Sequence, residues 1–336
     1  MTILVTGGAG FIGSNFISYY LSEHKAVKIV NIDKLTYAAN PSNLKEVEKN
    51  NRYTFVKGDI CDRALIESLF YEYDFNGVIH FAAESHVDNS IESPSTFMNT
   101  NILGTFNLID VAKNHWMQAP HGVKENYKNS RFHHISTDEV YGTLGEKGLF
   151  SEHTAYAPNS PYSASKASSD FIVRSYFHTY GVNVVTTNCS NNYGPKQHDE
   201  KLIPTIIRKA LSGEAIPIYG DGKNIRDWLY VKDHCKGIDL AFNRGVAGET
   251  YNIGGKNEHN NLYIANTICE ILNELKPKKG NYKSQISFVK DRPGHDYRYA
   301  INASKIKKEL GWKAQENFES GIRKTVDWYI DKYLKN

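Results

Sequence analysis

A chain of 336 residues with 40% hydrophobic and 23% charged side chains has room for two domains, or one large α/β domain with an appended lobe, and its composition excludes a disordered or collagenous protein. Forty Lys and Arg against 37 Asp and Glu leave a formal net charge of +3 spread along the chain, which excludes the dense basic footprint of a nucleic-acid binder. No stretch approaches the roughly 18 consecutive apolar residues of a membrane span, no basic-then-apolar signal segment opens the chain, and Cys61, Cys189, Cys235 and Cys269 are scattered, so the expectation is a cytoplasmic protein with reduced thiols and no metal site.

The opening residues TILVT read as a short buried strand running into GGAGFIG, and from Phe11 to about Leu21 apolar residues recur at helical spacing. Strands are then predicted at KIVNID, YTFVKGDI, GVIHFAA, RFHHIS and NVVTTNCS, with helical stretches near 62–72, 96–116 and 161–180 between them. This alternation predicts a Rossmann-type doubly wound parallel sheet with helices on both faces. Beyond Asn191 the pattern loosens into Gly-, Asn- and Pro-rich loops with helices near 202–212, 262–275 and 318–334, which predicts a smaller C-terminal α/β lobe. One further helix and strand from Val231 to Gly255 point to a return to the first sheet. The expected division is residues 1–190 plus about 227–255 for dinucleotide binding, and about 191–226 plus 256–336 for substrate.

Gly7, Gly10 and Gly13 stand as G-x-x-G-x-x-G after the first strand and at the opening of a helix. Glycine there permits a tight turn, backbone approach to a pyrophosphate and close helix-to-strand packing, with the helix dipole facing negative charge. Asp33 ends the second strand twenty residues after Gly13, where a carboxylate accepts from ribose hydroxyls and repels a 2′-phosphate, so NAD is favoured over NADP. Asp59 and Ile60 after the third strand, and Ala82 and Ala83 after the fourth, occupy strand carboxyl ends, where such sheets place ligands. A ligand-free glycine turn and a capping role for Asp33 are the bland alternatives.

In SPYSASKASSD, Tyr162 and Lys166 are four residues apart on a predicted helix and share one face. A nearby cation favours phenolate and brings a phenol toward working pH as a base. Chance pairs at this spacing are common, so the pair gains weight only behind a dinucleotide fingerprint.

Together with Thr137, the segments TGGAGFIG and Y-x-x-x-K resemble the extended short-chain dehydrogenase/reductase superfamily. NIDKLTYAAN, FAAESHVDNSI, FHHISTDEVYG, NCSNNYGP, EKLIP, YGDGKNIRDWLYV and DRPGHDYRYAI resemble, in order and spacing, the dTDP-glucose 4,6-dehydratases across nearly the whole chain. The resemblance implies an NAD-dependent lyase acting on dTDP-glucose, and it extends the cofactor set to Phe11, Ile12, Lys34, Leu35, Thr36, Thr100 and Asn192. It implies that Tyr162 takes the C4 hydroxyl proton with Thr137 orienting that oxygen, that Glu139 removes the C5 proton, and that Asp138 protonates the departing C6 hydroxyl. Such roles need Asp138 protonated and Glu139 ionised, and a chain turn that brings both to one side. For substrate, the resemblance implies Ser85 and His86 at the sugar, Asn191, Lys201 and Arg226 near the diphosphate, Leu202, Pro217, Ile218 and Tyr219 around the base, and Asn261, Arg292 and His295 completing that pocket. A homodimer through the helices near 96–116 and 161–180 is implied too. The chain departs from the family's pattern at Asn89, His198 and Asp199, near the expected substrate side. A nucleotide-sugar 4-epimerase, a UDP-sugar 4,6-dehydratase and a non-catalytic NAD-sensing module are the competing readings; the adjacent acids, for which epimerisation has no use, separate the first from a dehydratase.

Overall fold

Residues 1–291 and 295–334 are described by the computed structural model. The apolar runs read as strands form Thr2–Thr6, Lys28–Asp33, Tyr53–Lys57, Gly77–His80, Arg131–Thr137 and Val184–Cys189, and Thr250–Ile253 joins them in one sheet. Among the described residues this sheet has seven strands, all parallel, with Thr250–Ile253 at one edge, then Val184–Cys189, Arg131–Thr137, Gly77–His80, Thr2–Thr6, Lys28–Asp33 and, at the other edge, Tyr53–Lys57. Helices cover both faces, so the central strands are buried throughout and read as continuous apolar runs rather than alternating ones. Strand order reverses between Thr2–Thr6 and Gly77–His80, and a reversal of this kind opens a crevice at the strands' carboxyl ends. This is the doubly wound Rossmann-type fold that the alternation predicts.

One predicted helix is interrupted. The stretch near 96–116 consists of Pro94–Phe97, a π-helical segment Met98–Gly104, and Thr105–Trp116. The widened turn accompanies a tertiary demand on buried Asn101, whose side chain accepts from the Glu84 amide at 2.8 Å and donates to the Glu84 carbonyl at 3.0 Å and the Ser165 hydroxyl at 2.8 Å.

After the sixth strand, Asn191–Tyr193, Ile225–Tyr230 and Glu258–Asn260 form a small mixed sheet, and Ile216–Tyr219 pairs in parallel with Ile286–Val289. The helices Leu202–Ser212, Asn261–Leu275 and Phe318–Leu334 pack on these around Ile206, Ile268, Phe318 and Val326, a core separate from those on the faces of the large sheet. Among the described residues no helix is long and apolar enough to cross a membrane.

Candidate active site

The crevice at the strand ends is a cleft of about 320 Å³, within the range of small-ligand sites. Its glycine end is built from backbone. Gly7 has φ +72°, and a Cβ there would fall 2.7 Å from the Ala82 backbone, so only glycine lets the ends of the first and fourth strands close up. A Cβ on Gly13 would lie 2.5 Å from the Gly7 carbonyl. Gly10 caps the helix Phe11–Glu23 with no side-chain bond, so no side chain takes the first-turn amides, which sit at the positive end of a helix dipole. Gly7, Gly10, Phe11, Ile12 and Gly13 all line the cleft, and this cradle fits a dinucleotide pyrophosphate.

At the next strand end, Asp33 accepts the Ala9 amide at 2.9 Å and the Leu35 amide at 2.8 Å while still facing the cleft, so the capping and ligand readings hold together. Burial pushes its carboxyl above the usual range, and the two amides pull it back. Lys34 pairs with Asp59 at 2.7 Å, and both line the cleft with Thr36, Ile60, Ala82, Ala83 and Thr100. The Leu35 side chain departs from the expectation: it packs on the apolar layer beneath, and only its amide turns toward Asp33. Asn192 lines the cleft with its side-chain oxygen 2.9 Å from buried His234.

The strand Arg131–Thr137 ends in a 3-10 turn, Asp138–Tyr141, capped by the Thr137 hydroxyl, which accepts the Glu139 amide at 3.3 Å. This turn defeats the alternation that would aim adjacent strand side chains apart, and Asp138 and Glu139 both line the cleft. Asp138 is 2% exposed and its Oδ2 meets no hydrogen-bond donor, whereas Glu139 is half-buried. Burial, then the neighbouring carboxyls of Glu139 and Asp227, push Asp138 well above the usual carboxylate range against the pull of Arg226. An acid whose environment favours the protonated form thus stands beside a second, more accessible carboxyl.

Tyr162 and Lys166 enter the same cleft from the helix Pro161–Tyr180, which opens with a capping box between Ser160 and Ser163. Their relation differs from the sequence expectation. Lys166 donates to the Ile135 carbonyl at 2.8 Å, and burial pushes the Tyr162 phenol up, with Glu139 and Cys189 adding and a bond to Thr137 pulling the other way. Burial also lowers the Lys166 ammonium to about 8, with Asp170 opposing.

On the substrate side, Ser85, Asn191 and Lys201 line the cleft; Lys201 donates to the Ser85 carbonyl at 3.3 Å, and the Asn191 side-chain oxygen is buried without a partner. His86 stands 4.0 Å from Glu200, which the sequence reading missed, and His198 is 3.6 Å from the same carboxylate. Departing Asp199 faces away, accepting from Lys332 at 2.7 Å and Tyr333 at 2.6 Å on the last helix. Arg226 is buried, stacked 4.2 Å over the Tyr299 ring, and gives three of its five N–H groups to the carbonyls of Ile225, Asp296 and Tyr297. Tyr219 and His295 meet edge to face at 6.5 Å beside Pro217, and Asn261 hydrogen-bonds its amide to Asn224 nearby, all away from the cleft lining. Two expected base-pocket residues are turned elsewhere: strand alternation drives Ile218 into the lobe core with no exposed surface, and Leu202 packs on the same core. Arg292 lies outside the described residues.

The geometry has counterparts. The family description "GDP-mannose 4,6 dehydratase" matches residues 4–325. The dTDP-glucose 4,6-dehydratase of Salmonella typhimurium is 54% identical, covering 98% of this chain and 93% of that protein, and the enzyme of the same name from Neisseria meningitidis is likewise 54% identical over 98% and 93%. This chain belongs to the dTDP-glucose 4,6-dehydratase family. Among solved structures of the family, the Streptomyces venezuelae dTDP-glucose 4,6-dehydratase with NAD and TYD bound superposes with a TM-score of 0.90 at 42% identity, covering 98% of this chain and 97% of that one. A UDP-glucose 4-epimerase from Thermotoga maritima shares the fold at 27% identity and a TM-score of 0.86, covering 99% of each chain.

Proposed function

We propose that the chain converts dTDP-glucose to dTDP-4-dehydro-6-deoxyglucose and water, as an NAD-dependent hydro-lyase of nucleotide deoxysugar biosynthesis. The observation that carries this is the acidic turn, where a buried Asp138, its carboxyl pushed well above the usual range, and a half-buried Glu139 face one cleft with Tyr162. Bound NAD supplies reversible hydride acceptance at the sugar. With NAD bound, its positive nicotinamide ring and the Lys166 ammonium one helical turn away would favour Tyr162 as phenolate, and that phenolate, bonded to Thr137, receives the C4 hydroxyl proton. The C4 ketone acidifies the C5 hydrogen, which Glu139 removes as a proton; the electron pair forms the C5–C6 double bond as the C6–O bond breaks, and Asp138 gives its proton to the departing oxygen so that water leaves. Return of the C4 hydride to C6 and of a proton from Glu139 to C5 would then give the 4-keto-6-deoxy sugar with no net change in NAD. Epimerisation at C4 has no step for a protonated acid of this kind.

For the substrate we assign Ser85 and His86 to the sugar, Asn191, Lys201 and Arg226 to the diphosphate, and Pro217, Tyr219, Asn261 and His295 to the base end. The two-lobe division, residues 1–190 with about 227–255 and the remainder, describes the cofactor and substrate halves. The protein works in the cytoplasm as a homodimer: Leu103, Phe106 and Phe171 expose 56%, 43% and 57% of their surface on the helices expected to pair, more apolar area than a solvated face needs. Sedimentation should give twice the mass of one chain, and a monomer would refute the pairing.

Incubation with dTDP-glucose in deuterated water and catalytic NAD tests the activity. The expected product is a 4-keto-6-deoxy sugar carrying deuterium at C5, with no net NADH. Recovery of dTDP-galactose would establish epimerisation, and turnover of UDP-glucose alone would reassign the base.

A further inference from the structure

The reaction derived above leaves several buried carboxyl groups unused, and among the described residues only some of them, Asp170 included, stand on the elements that carry the reacting side chains. Asp170 lies one helical turn beyond Lys166 and is 5% exposed. Its Oδ2 accepts from the Ser136 hydroxyl at 2.8 Å and the Tyr156 hydroxyl at 2.9 Å, and Asn188 in turn donates to the Tyr156 oxygen at 3.3 Å. Its Oδ1 lies 3.0 Å from His134 Nε2 without the alignment of a hydrogen bond. Burying a carboxylate is costly unless it is paired, and two neutral donors offset only part of that cost. On the same face, Lys166 is 4% exposed and donates to the Ile135 carbonyl. A buried ammonium beside one neutral acceptor needs a counter-charge as much as Asp170 does.

The neighbours on the surrounding elements do not supply it. His134 on the strand Arg131–Thr137 and His80 on Gly77–His80 are held neutral by burial, with the Lys166 charge adding to the effect on both. Burial keeps the Cys189 thiol on Val184–Cys189 protonated, and it raises the phenols of Tyr141, Tyr156 and Tyr162 as well. We propose that Asp170 is a positioning residue for the reaction: its carboxylate, fixed by Ser136 and Tyr156 one helical turn from Lys166, keeps the Lys166 ammonium charged.

The proposal rests on the dehydratase reading for what the lysine does, though not for the pairing itself. Burial lowers Lys166 to about 8, and Asp170 is the first group opposing it; burial raises Asp170 to about 6, and Lys166 is the first group opposing that. Both partners are therefore charged between about pH 6 and about pH 8. Removing the carboxylate charge makes the lysine lose its proton at lower pH.

The test has two readouts. Nitrogen-15 NMR of lysine side chains, with Lys166→Arg to assign the signal, follows the Lys166 titration in the protein without substrate. Asp170→Asn should raise the ratio of neutral to charged Lys166 at about pH 7 by about tenfold, and the basic limb of the kcat/KM profile should move to lower pH by the same factor in proton activity. Asp170→Glu should restore most of both. Should Asp170→Asn fail to fold, Tyr156→Phe removes a donor from Asp170 and should move the acid limb to higher pH. An Asp170→Asn variant whose Lys166 titration and basic limb stay in place, whatever its melting temperature, would overturn the proposal. If the parent protein fails to turn over dTDP-glucose, the dehydratase reading falls while the NMR titration still decides the pairing.

Discussion

The two ends of the cleft solve their problems with different materials. At the glycine end the groups that face a ligand are backbone amides and strand ends, fixed by a φ of +72° at Gly7 and by contacts that leave no room for a Cβ. At the acidic end they are side chains, and their chemistry comes from where the fold puts their charges: burial, with Glu139 and Asp227, pushes the Asp138 carboxyl well above the usual range, and burial pulls the Lys166 ammonium down to about 8 against the opposing Asp170. Asp33 apart, the first end is therefore sensitive to shape more than to charge, and the second is the reverse. A substitution that changes geometry should abolish binding, whereas one that changes a single proton should leave binding and remove a step.

The largest effect is expected where shape decides. Gly7→Ala places a Cβ in the left-handed region against the Ala82 backbone, at a strain on the order of 2–3 kcal/mol, so NAD affinity measured by titration calorimetry should fall about 100-fold. Next comes the acidic turn. Asp138→Asn should keep NAD and substrate affinity but lower kcat by roughly 10²- to 10⁴-fold, with C5 deuterium exchange surviving in NMR spectra. Loss of substrate affinity with unchanged kcat would instead place Asp138 in binding. A moderate effect is expected from pH: as pH rises through about 8 Lys166 loses its proton, so kcat/KM should decline on that side, and Lys166→Arg should carry the decline to higher pH. The smallest belongs to the exposed pair of Lys34 and Asp59, where Lys34→Ala should change stability by less than about 1 kcal/mol in thermal melts.

The same contrast explains what is legible in the sequence. Glycine spacing and the Asp33 position follow from local backbone demands, so they can be read without tertiary knowledge, and strands such as Lys28–Asp33 announce themselves as apolar runs because both sheet faces are covered. The acids Asp138 and Glu139 stand out through family resemblance, but their convergence depends on the 3-10 turn that Thr137 caps. The π segment Met98–Gly104 has no local signal; it accompanies bonds from Asn101 to Glu84 and Ser165, partners 17 and 64 residues away. Asp170 reads in SSD as an ordinary polar helix position, and only the approach of Ser136 and Tyr156 reveals it as buried. Where the base is expected, Ile218 illustrates a register problem, since resemblance locates the strand Ile216–Tyr219 and alternation decides that Tyr219 faces outward while Ile218 fills the core.

The central claim is that Asp138 carries a proton at neutral pH beside Glu139, the proposed base. Infrared difference spectroscopy of the protein at about pH 7, parent against Asp138→Asn, reads this directly. The account predicts a protonated-carboxyl stretch in the parent that is missing from the variant and shifts in deuterated water. Identical spectra in that region would show Asp138 ionised and would contradict it.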